Sequence, residues 1–287
     1  MTTFQNILFP VDFSERCLQS MSYMAGIARK FNSELTLLHA LDIYNPFGYG
    51  AISSTVAYGE AADVLKRQRE FALADFGSEV LEGLAVRRVM EMGEPADCIT
   101  RYAGQHAVDL IAMPTHGGGR FRRLLLGSIT AKVLHDTDCA VWTTSHSEAL
   151  ASPDIESILC PVDASPNAAR LIHAAEDIAA QYGAVVRLVH AIPASDAGAT
   201  GDRDMSFERF LFDTAARQIA AWQEEARTHF EVCVKAGNVP AVVREASVQY
   251  NADLVVMDRG RLQEFLGPFR SSAYEIIRES PCPVLSF

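Results

Sequence analysis

Long hydrophobic runs are missing from this chain. No apolar stretch reaches the roughly 20 residues needed to span a bilayer, so no membrane crossing is expected. The start, MTTFQNILFPVDFSER, has no basic leader followed by an apolar run and a small-residue cleavage site, so no secretory signal is expected either. Cysteine is present but unorganised: residues 17, 98, 139, 160, 233 and 282 form no C-x-x-C pair and no metal-ligand spacing. Such a set reads as reduced, mostly buried thiols of a cytoplasmic protein. Cys17 is the one thiol with a redox role to weigh, because it falls near a helix start, where a thiolate is favoured. Catalytic signatures are absent too. There is no G-x4-G-K-[ST] loop, no G-x-S-x-G elbow, no H-E-x-x-H and no carboxylate pair at an identifiable spacing. Binding or sensing is therefore expected rather than catalysis, with no metal.

Positive charge is also scarce. With 25 Lys and Arg against 36 Asp and Glu, the formal charge is −11 and the pI near 5.2, which argues against nucleic acid or anionic membrane as a partner. The one tight basic cluster is Arg120, Arg122 and Arg123. What the chain does have is apolar residues, 49% of 287, enough for two cores in domains of about 140 residues each.

The chain repeats itself. ILFPVDFS (Ile7 to Ser14) returns as ILCPVDAS (Ile158 to Ser165), and LLHA (Leu37 to Ala40) as LVHA (Leu188 to Ala191), both at an offset of 151. DLIAM (Asp109 to Met113) and CAVW (Cys139 to Trp142) return as DLVVM and CPVL at slightly shorter offsets. Such self-similarity marks a tandem duplication. It divides the chain into domains 1–147 and 154–287 around a short polar linker.

In the first copy, apolar runs predict strands at Asn6–Val11, Glu34–Leu41, Ala85–Met90, Val108–Met113 and Ala140–Thr143. Amphipathic segments predict helices at Glu15–Phe31 after the N-cap Ser14, at Glu60–Leu81, at Pro95–His106 and at Ser128–His135. Alternating β and α with strands this apolar implies a parallel sheet covered on both faces. The fold expected is α/β: two tandem open parallel five-stranded sheets with helices on both faces, Rossmann-like. Two long connections, Asp42 to Tyr58 and Pro193 to Ser206, interrupt the pattern as mobile or lid-forming loops.

MPTHGGGRFRRLLLGSIT, Met113 to Thr130, leaves the carboxyl end of the fourth strand and opens the next helix at Gly127 and Ser128. In an open parallel sheet, ligands bind at that edge. Bare glycine backbone and a helix N-terminus suit an anion there. The spacing resembles the universal stress protein family, whose nucleotide-binding members carry G-x2-G-x9-G-S/T at this place, and the early Asp12 matches as well.

The resemblance implies an adenine-nucleotide site for ATP or AMP. Val11 and Asp12 would frame the base and Ala40 would meet it through its backbone. Met113 and Pro114 would lie by the ribose, and Gly117, Gly127, Ser128 and Ile129 would surround the phosphates. Gly118 and Gly119 could help, and Arg120, Arg122 or Arg123 could add charge. One position departs: Pro114 stands where the family has its first glycine, which removes an N–H. Losing that donor would cost about 1–3 kcal/mol, or roughly one to two decades of affinity.

The second copy keeps Asp163, Ala191 and Gly260, but its loop, MDRGRLQEFLGPFRSSA, is shorter and puts Arg270 at the helix-opening glycine. No nucleotide is expected there. His39 and His190 occupy matching places and read as structural, whereas His116 lies in the loop itself. Asp12 and Asp163 could each bond backbone N–H groups at a strand end. The short apolar fifth strands predict pairing of the two halves within one chain, as these edges pair across a dimer in the resembled family, and leave room for a homodimer. The reading is a cytoplasmic tandem stress-response sensor or regulator that binds adenine nucleotide in its first domain. A nucleotide-independent interaction module and a slow ATP hydrolase are the alternatives.

Overall fold

The structure is a computed structural model and describes residues 2–42, 55–115, 126–144, 154–163, 167–194, 202–259 and 269–287. The first repeat runs β1 (Asn6–Pro10), α1 (Glu15–Phe31), β2 (Glu34–Leu41), α2 (Thr55–Asp75), β3 (Ala85–Met92), α3 (Pro95–Gln105), β4 (Leu110–Pro114), α4 (Ser128–Asp136) and β5 (Ala140–Thr144). The second runs β6 (Ser157–Pro161), α5 (Ala168–Tyr182), β7 (Val185–Ile192), α6 (Asp202–Ala226), β8 (Glu231–Ala236), α7 (Val239–Gln249), β9 (Leu254–Met257), α8 (Phe269–Glu279) and β10 (Val284–Ser286).

The strands form one ten-stranded sheet in the order β3-β2-β1-β4-β5-β10-β9-β6-β7-β8. Neighbours run parallel within each repeat, and the repeats meet where β5 and β10 pair antiparallel, with Trp142 opposite Leu285. Hydroxyls reinforce that seam: Thr143 Oγ1 donates to the Val284 carbonyl at 3.2 Å, and Ser286 Oγ to the Val141 carbonyl at 3.2 Å.

Side-chain alternation along the strands divides the core into two layers. Ile7, Phe9, Val11, Leu35, Leu37, Leu110 and Trp142 bury against α1, α2, α5 and α6 on one face. Leu8, Leu38, Ile111, Met113 and Val141 bury against α3, α4, α7 and α8 on the other. Each layer runs through both repeats.

Local chemistry sets the element ends. Ser14 caps α1 by accepting from Cys17 N at 3.1 Å, and Glu94 caps α3 by accepting from Asp97 N at 3.0 Å with Pro95 at the first helical position. The second helix departs from expectation. It covers Thr55–Asp75 rather than Glu60–Leu81, because Gly77 takes φ +69° and the chain turns there, while Leu81 still buries in the core. The connections expected over Asp42–Tyr58 and Pro193–Ser206 accordingly end in helix from Thr55 and Asp202, and residues 43–54 and 195–201 lie outside the described residues. No helix among the described residues is long and apolar enough to cross a membrane.

Candidate nucleotide site

The chain reverses its winding direction between β1 and β4, since β2 and β3 lie on one side and β5 on the other. Ligands collect at such switch points. Here the two strands part early: β1 and β4 share only the pairs Ile7–Leu110 and Leu8–Ile111, whereas β1 with β2 and β4 with β5 each share five. Beyond Leu8 the two strands share no further pair toward their carboxyl ends.

The predicted residues gather at this edge. Continuing the β1–β2 register places Asp12 level with Ala40. Met113 is buried in the α3/α4 layer, against which Ala40 and Leu126 also pack. Pro114 ends β4 opposite Thr144, past the last β1–β4 pair, so its missing N–H breaks no bond to β1. Gly127 returns to the same place, its N–H donating to the Thr115 carbonyl at 2.9 Å, and Thr130 Oγ1 donates to the Pro114 carbonyl at 3.2 Å.

Helix α4 therefore opens beside the end of β4, where β1 and β4 have parted. Its N-cap, Gly127, has φ −60° and ψ 141° and supplies no side-chain cap. Any residue adopts those angles, so room rather than backbone freedom is what the glycine contributes. Ser128 and Ile129 follow, both exposed. A helix N-terminus without a side-chain cap carries N–H groups and the positive end of the helix dipole, which suits an anion.

Two predicted residues are less free than the sequence suggested. Val11 sends its side chain to the opposite layer, and both of its backbone groups are engaged: N–H to the Leu38 carbonyl at 2.8 Å, and C=O with His39 Nδ1 at 2.7 Å. Asp12 is exposed but accepts from Ser14 N at 2.9 Å, the local strand-end bond open to a short acidic side chain. Gly117, with His116, Gly118, Gly119, Arg120, Arg122 and Arg123, lies outside the described residues.

Other residues at this edge carry no sequence signal of their own. Phe13 holds φ +60°, an uncommon conformation for a bulky residue, and packs against His39 at 4.6 Å and Phe76 at 5.3 Å between ring centroids. The Arg69 guanidinium lies 5.3 Å from the Phe13 ring, which brings a cation from α2 near the mouth. Burial lowers the His39 pKa; the Val11 bond opposes this, Arg69 adds to it and Asp12 opposes it. Lys132 on α4 bonds Glu94 at 2.9 Å and Asp97 at 2.5 Å, tying α4 to the start of α3. Burial alone would raise the Glu94 pKa, but the Lys132 bond and backbone N–H groups outweigh it and hold the carboxyl below its usual range. Cys17 is buried, and desolvation pushes its thiol up to about 12, which sets aside a thiolate at this helix start.

Comparison with known proteins fits this geometry. The sequence profile of the universal stress protein family matches twice, over residues 3–145 and 155–287. The chain belongs to the universal stress protein family. A universal stress protein of Methanocaldococcus jannaschii is 29% identical over 139 residues, spanning 48% of this chain and 80% of the relative. One from Synechocystis is 30% identical over 145 residues, spanning 49% of this chain and 42% of the relative. Among solved structures, a universal stress protein from Archaeoglobus fulgidus superposes with a TM-score of 0.69 at 20% identity, covering 99% of this chain and 97% of the other, a likeness of fold.

The second universal stress repeat keeps the frame and changes the mouth. β6 and β9 also share only two pairs, and His190 Nδ1 bonds the Val162 carbonyl at 2.7 Å just as His39 bonds Val11. At the place corresponding to Val11, Asp12 and Ala40 lies a cavity of about 130 Å³ lined by Val162, Asp163, Ala191 and valines of α7. Ligand pockets usually occupy roughly 300–1,000 Å³. Helix α8 begins at Phe269, so Arg270, the counterpart of Gly127, is already helical where the first repeat is extended.

Proposed function

We propose that the first repeat, residues 1–147, binds an adenine nucleotide, ATP or AMP, and that this universal stress protein acts in the cytoplasm as a stress-response sensor or regulator. The observation that carries the reading is the early parting of β1 from β4, with α4 opening beside it at a glycine that offers no side-chain cap. Ala40, Met113 and Pro114 would border the base and ribose, Val11 and Asp12 would close the inner end, and Gly117, Gly127, Ser128 and Ile129 would hold the phosphates. The second repeat, residues 154–287, would carry no nucleotide, because Arg270 stands in place of the helix-opening glycine and the cavity at its strand ends is only about 130 Å³. The two repeats would act as a pair within one chain, with a homodimer of chains open to it.

Pro114 sets the expected strength. One missing donor at the ribose end weakens binding by about one to two decades without abolishing it. Calorimetric titration of ATP tests the reading. The wild type should bind about one ATP per chain, and Gly127→Arg, which copies Arg270 into the first repeat, should lose that heat. Equal heats in the two proteins, or no heat in either, would reject the site and favour an interaction module that works without nucleotide.

A further inference from the structure

The shortened loop of the second repeat begins with an arginine whose side chain bonds the first repeat. Arg259 follows β9 as Thr115 follows β4, and the two backbones behave alike: Arg259 N donates to the Phe287 carbonyl at 2.9 Å, and Thr115 N to the Thr144 carbonyl at 3.3 Å. Their side chains do not. Thr115 Oγ1 stays in its own repeat, on the Thr144 carbonyl at 3.1 Å. Arg259 crosses the seam. Its Nη1 donates to the Leu134 carbonyl at 3.2 Å and its Nη2 to the Cys139 carbonyl at 2.6 Å, while Nε reaches the Phe287 carbonyl at 3.4 Å.

Leu134 lies in the last turn of α4, where carbonyls lack helical partners and a cation is favoured by the dipole. Burial pulls the guanidinium pKa down to about 10, against neighbouring acidic groups that raise it, so the side chain remains charged at neutral pH. Tyr274 of α8 holds the same helix from the same side, its hydroxyl donating to the Ala131 carbonyl at 3.2 Å. A nine-residue helix is about 13.5 Å long, so what fixes its C-terminal turn also fixes where its N-terminal turn points.

We propose that Arg259 of the second repeat is a positioning residue for the anion-binding end of α4 in the first. Resting on the nucleotide reading above, this makes the second repeat a fixed support for the site next door: the copy that lost its own helix opening sets the orientation of the other's. By linkage, nucleotide bound at the N-terminal turn tightens the seam at the C-terminal turn.

The test is calorimetry with ATP on the full chain, with hydrogen exchange of α4 measured with and without nucleotide. Arg259→Met should bind ATP about fivefold or more weakly than wild type, the low end of coupling between sites, and should speed exchange at the C-terminal amides of α4 even without ATP. Arg259→Lys, which keeps the charge but not the fork of donors, should fall between them. Ser286→Ala removes a seam bond that does not reach α4, so it should lower stability and leave ATP affinity unchanged. Should Arg259→Met fail to fold, Arg259→Lys and Tyr274→Phe serve in its place, and unchanged affinity in both overturns the proposal. Wild-type affinity retained in a folded Arg259→Met protein overturns it while the nucleotide reading stands. No binding by the wild type overturns both.

Discussion

His39 offers the most direct check on the physical chemistry of the site edge, because one hydrogen bond decides its tautomer while burial sets the direction of its pKa. Its Nδ1 lies 2.7 Å from the Val11 carbonyl, which can only accept, so the proton is on Nδ1 and Nε2 is bare. Nε2 is buried with no partner among the described residues, and a second proton there would be a buried, unpaired donor. His39→Leu strands the Val11 carbonyl, at about 1–3 kcal/mol, and loses the ring contact with Phe13, worth about 0.5–1.5 kcal/mol. Against the apolar gain of leucine, a net loss of about 2 kcal/mol follows. His39→Asn keeps an N–H donor near Nδ1 and should lose only about half as much. The pH dependence has a fixed sign. Burial lowers the folded-state pKa of His39 below its ordinary value, so its contribution is complete above about pH 6.5 and is lost as pH falls through the folded value. Wild-type stability should thus fall relative to His39→Asn on acidification below about pH 6.5, with a constant gap above it. Urea unfolding followed by far-UV circular dichroism from pH 5 to 8 measures all three proteins. A His39→Leu protein within about 0.5 kcal/mol of wild type, or a gap that ignores pH, would refute the argument.

The seam between the repeats supports two further predictions. Trp142 is fully buried opposite Leu285, and its indole N–H has no partner among the described residues, so Trp142→Phe trades lost ring area of about 1–2 kcal/mol against relief of a stranded donor of similar size. Thermal melting should show little change for that variant and a loss of about 3–5 kcal/mol for Trp142→Ala; a Phe variant as damaged as the Ala variant would show that the indole N–H is satisfied in solution. Thr143→Val and Ser286→Ala each remove one hydroxyl bond across β5 and β10 and should cost about 1 kcal/mol apiece, with a non-additive double variant because the bonds share one short ladder. Strict additivity in denaturant titrations would show that they do not.

Much of the frame was legible because its signals are local. Apolar runs marked the strands, Ser14 and Pro95 marked helix starts, and the self-similarity of the two halves announced a duplicated unit before any fold was assigned. Where signals were ambiguous, boundaries slipped: Val80 and Leu81 continue the helical spacing of α2, yet they pack as turn residues after Gly77 reverses the chain. The strained Phe13 had no signature, since nothing in FPVDFS demands a left-handed phenylalanine. Arg259 was hidden for a different reason. In sequence it is one cation in a degenerate loop, and its acceptors, at Leu134 and Cys139, lie more than 100 residues away, brought near by the join of β5 and β10.

Comparing the two copies bond by bond separates what the fold needs from what a site would need. His39 and His190 make the same bond to the end of the first strand in each repeat. Asp109 and Asp253 each accept from backbone N–H groups at the start of that strand, at 2.9 Å from Gln5 and from Glu156. Gly93 and Gly237 each take a positive φ past the third strand and donate back to the end of the second. Such bonds, held in both halves, satisfy backbone groups that an open parallel sheet would otherwise leave stranded. Where β1 and β4 part and along α4 the copies differ: Gly127 against Arg270, Pro114 against Asp258, Thr115 against Arg259, and the Lys132 bridge to Glu94 against Glu275 and Asn238. Differences run through the rest of both copies as well, Phe9 against Cys160, Phe13 against Ala164 and Trp142 against Leu285 among them, so divergence alone does not mark a site. What ties the copies together physically is the pair of bonds that Arg259 sends across the seam to the Leu134 and Cys139 carbonyls, from the half that carries Arg270 in place of Gly127.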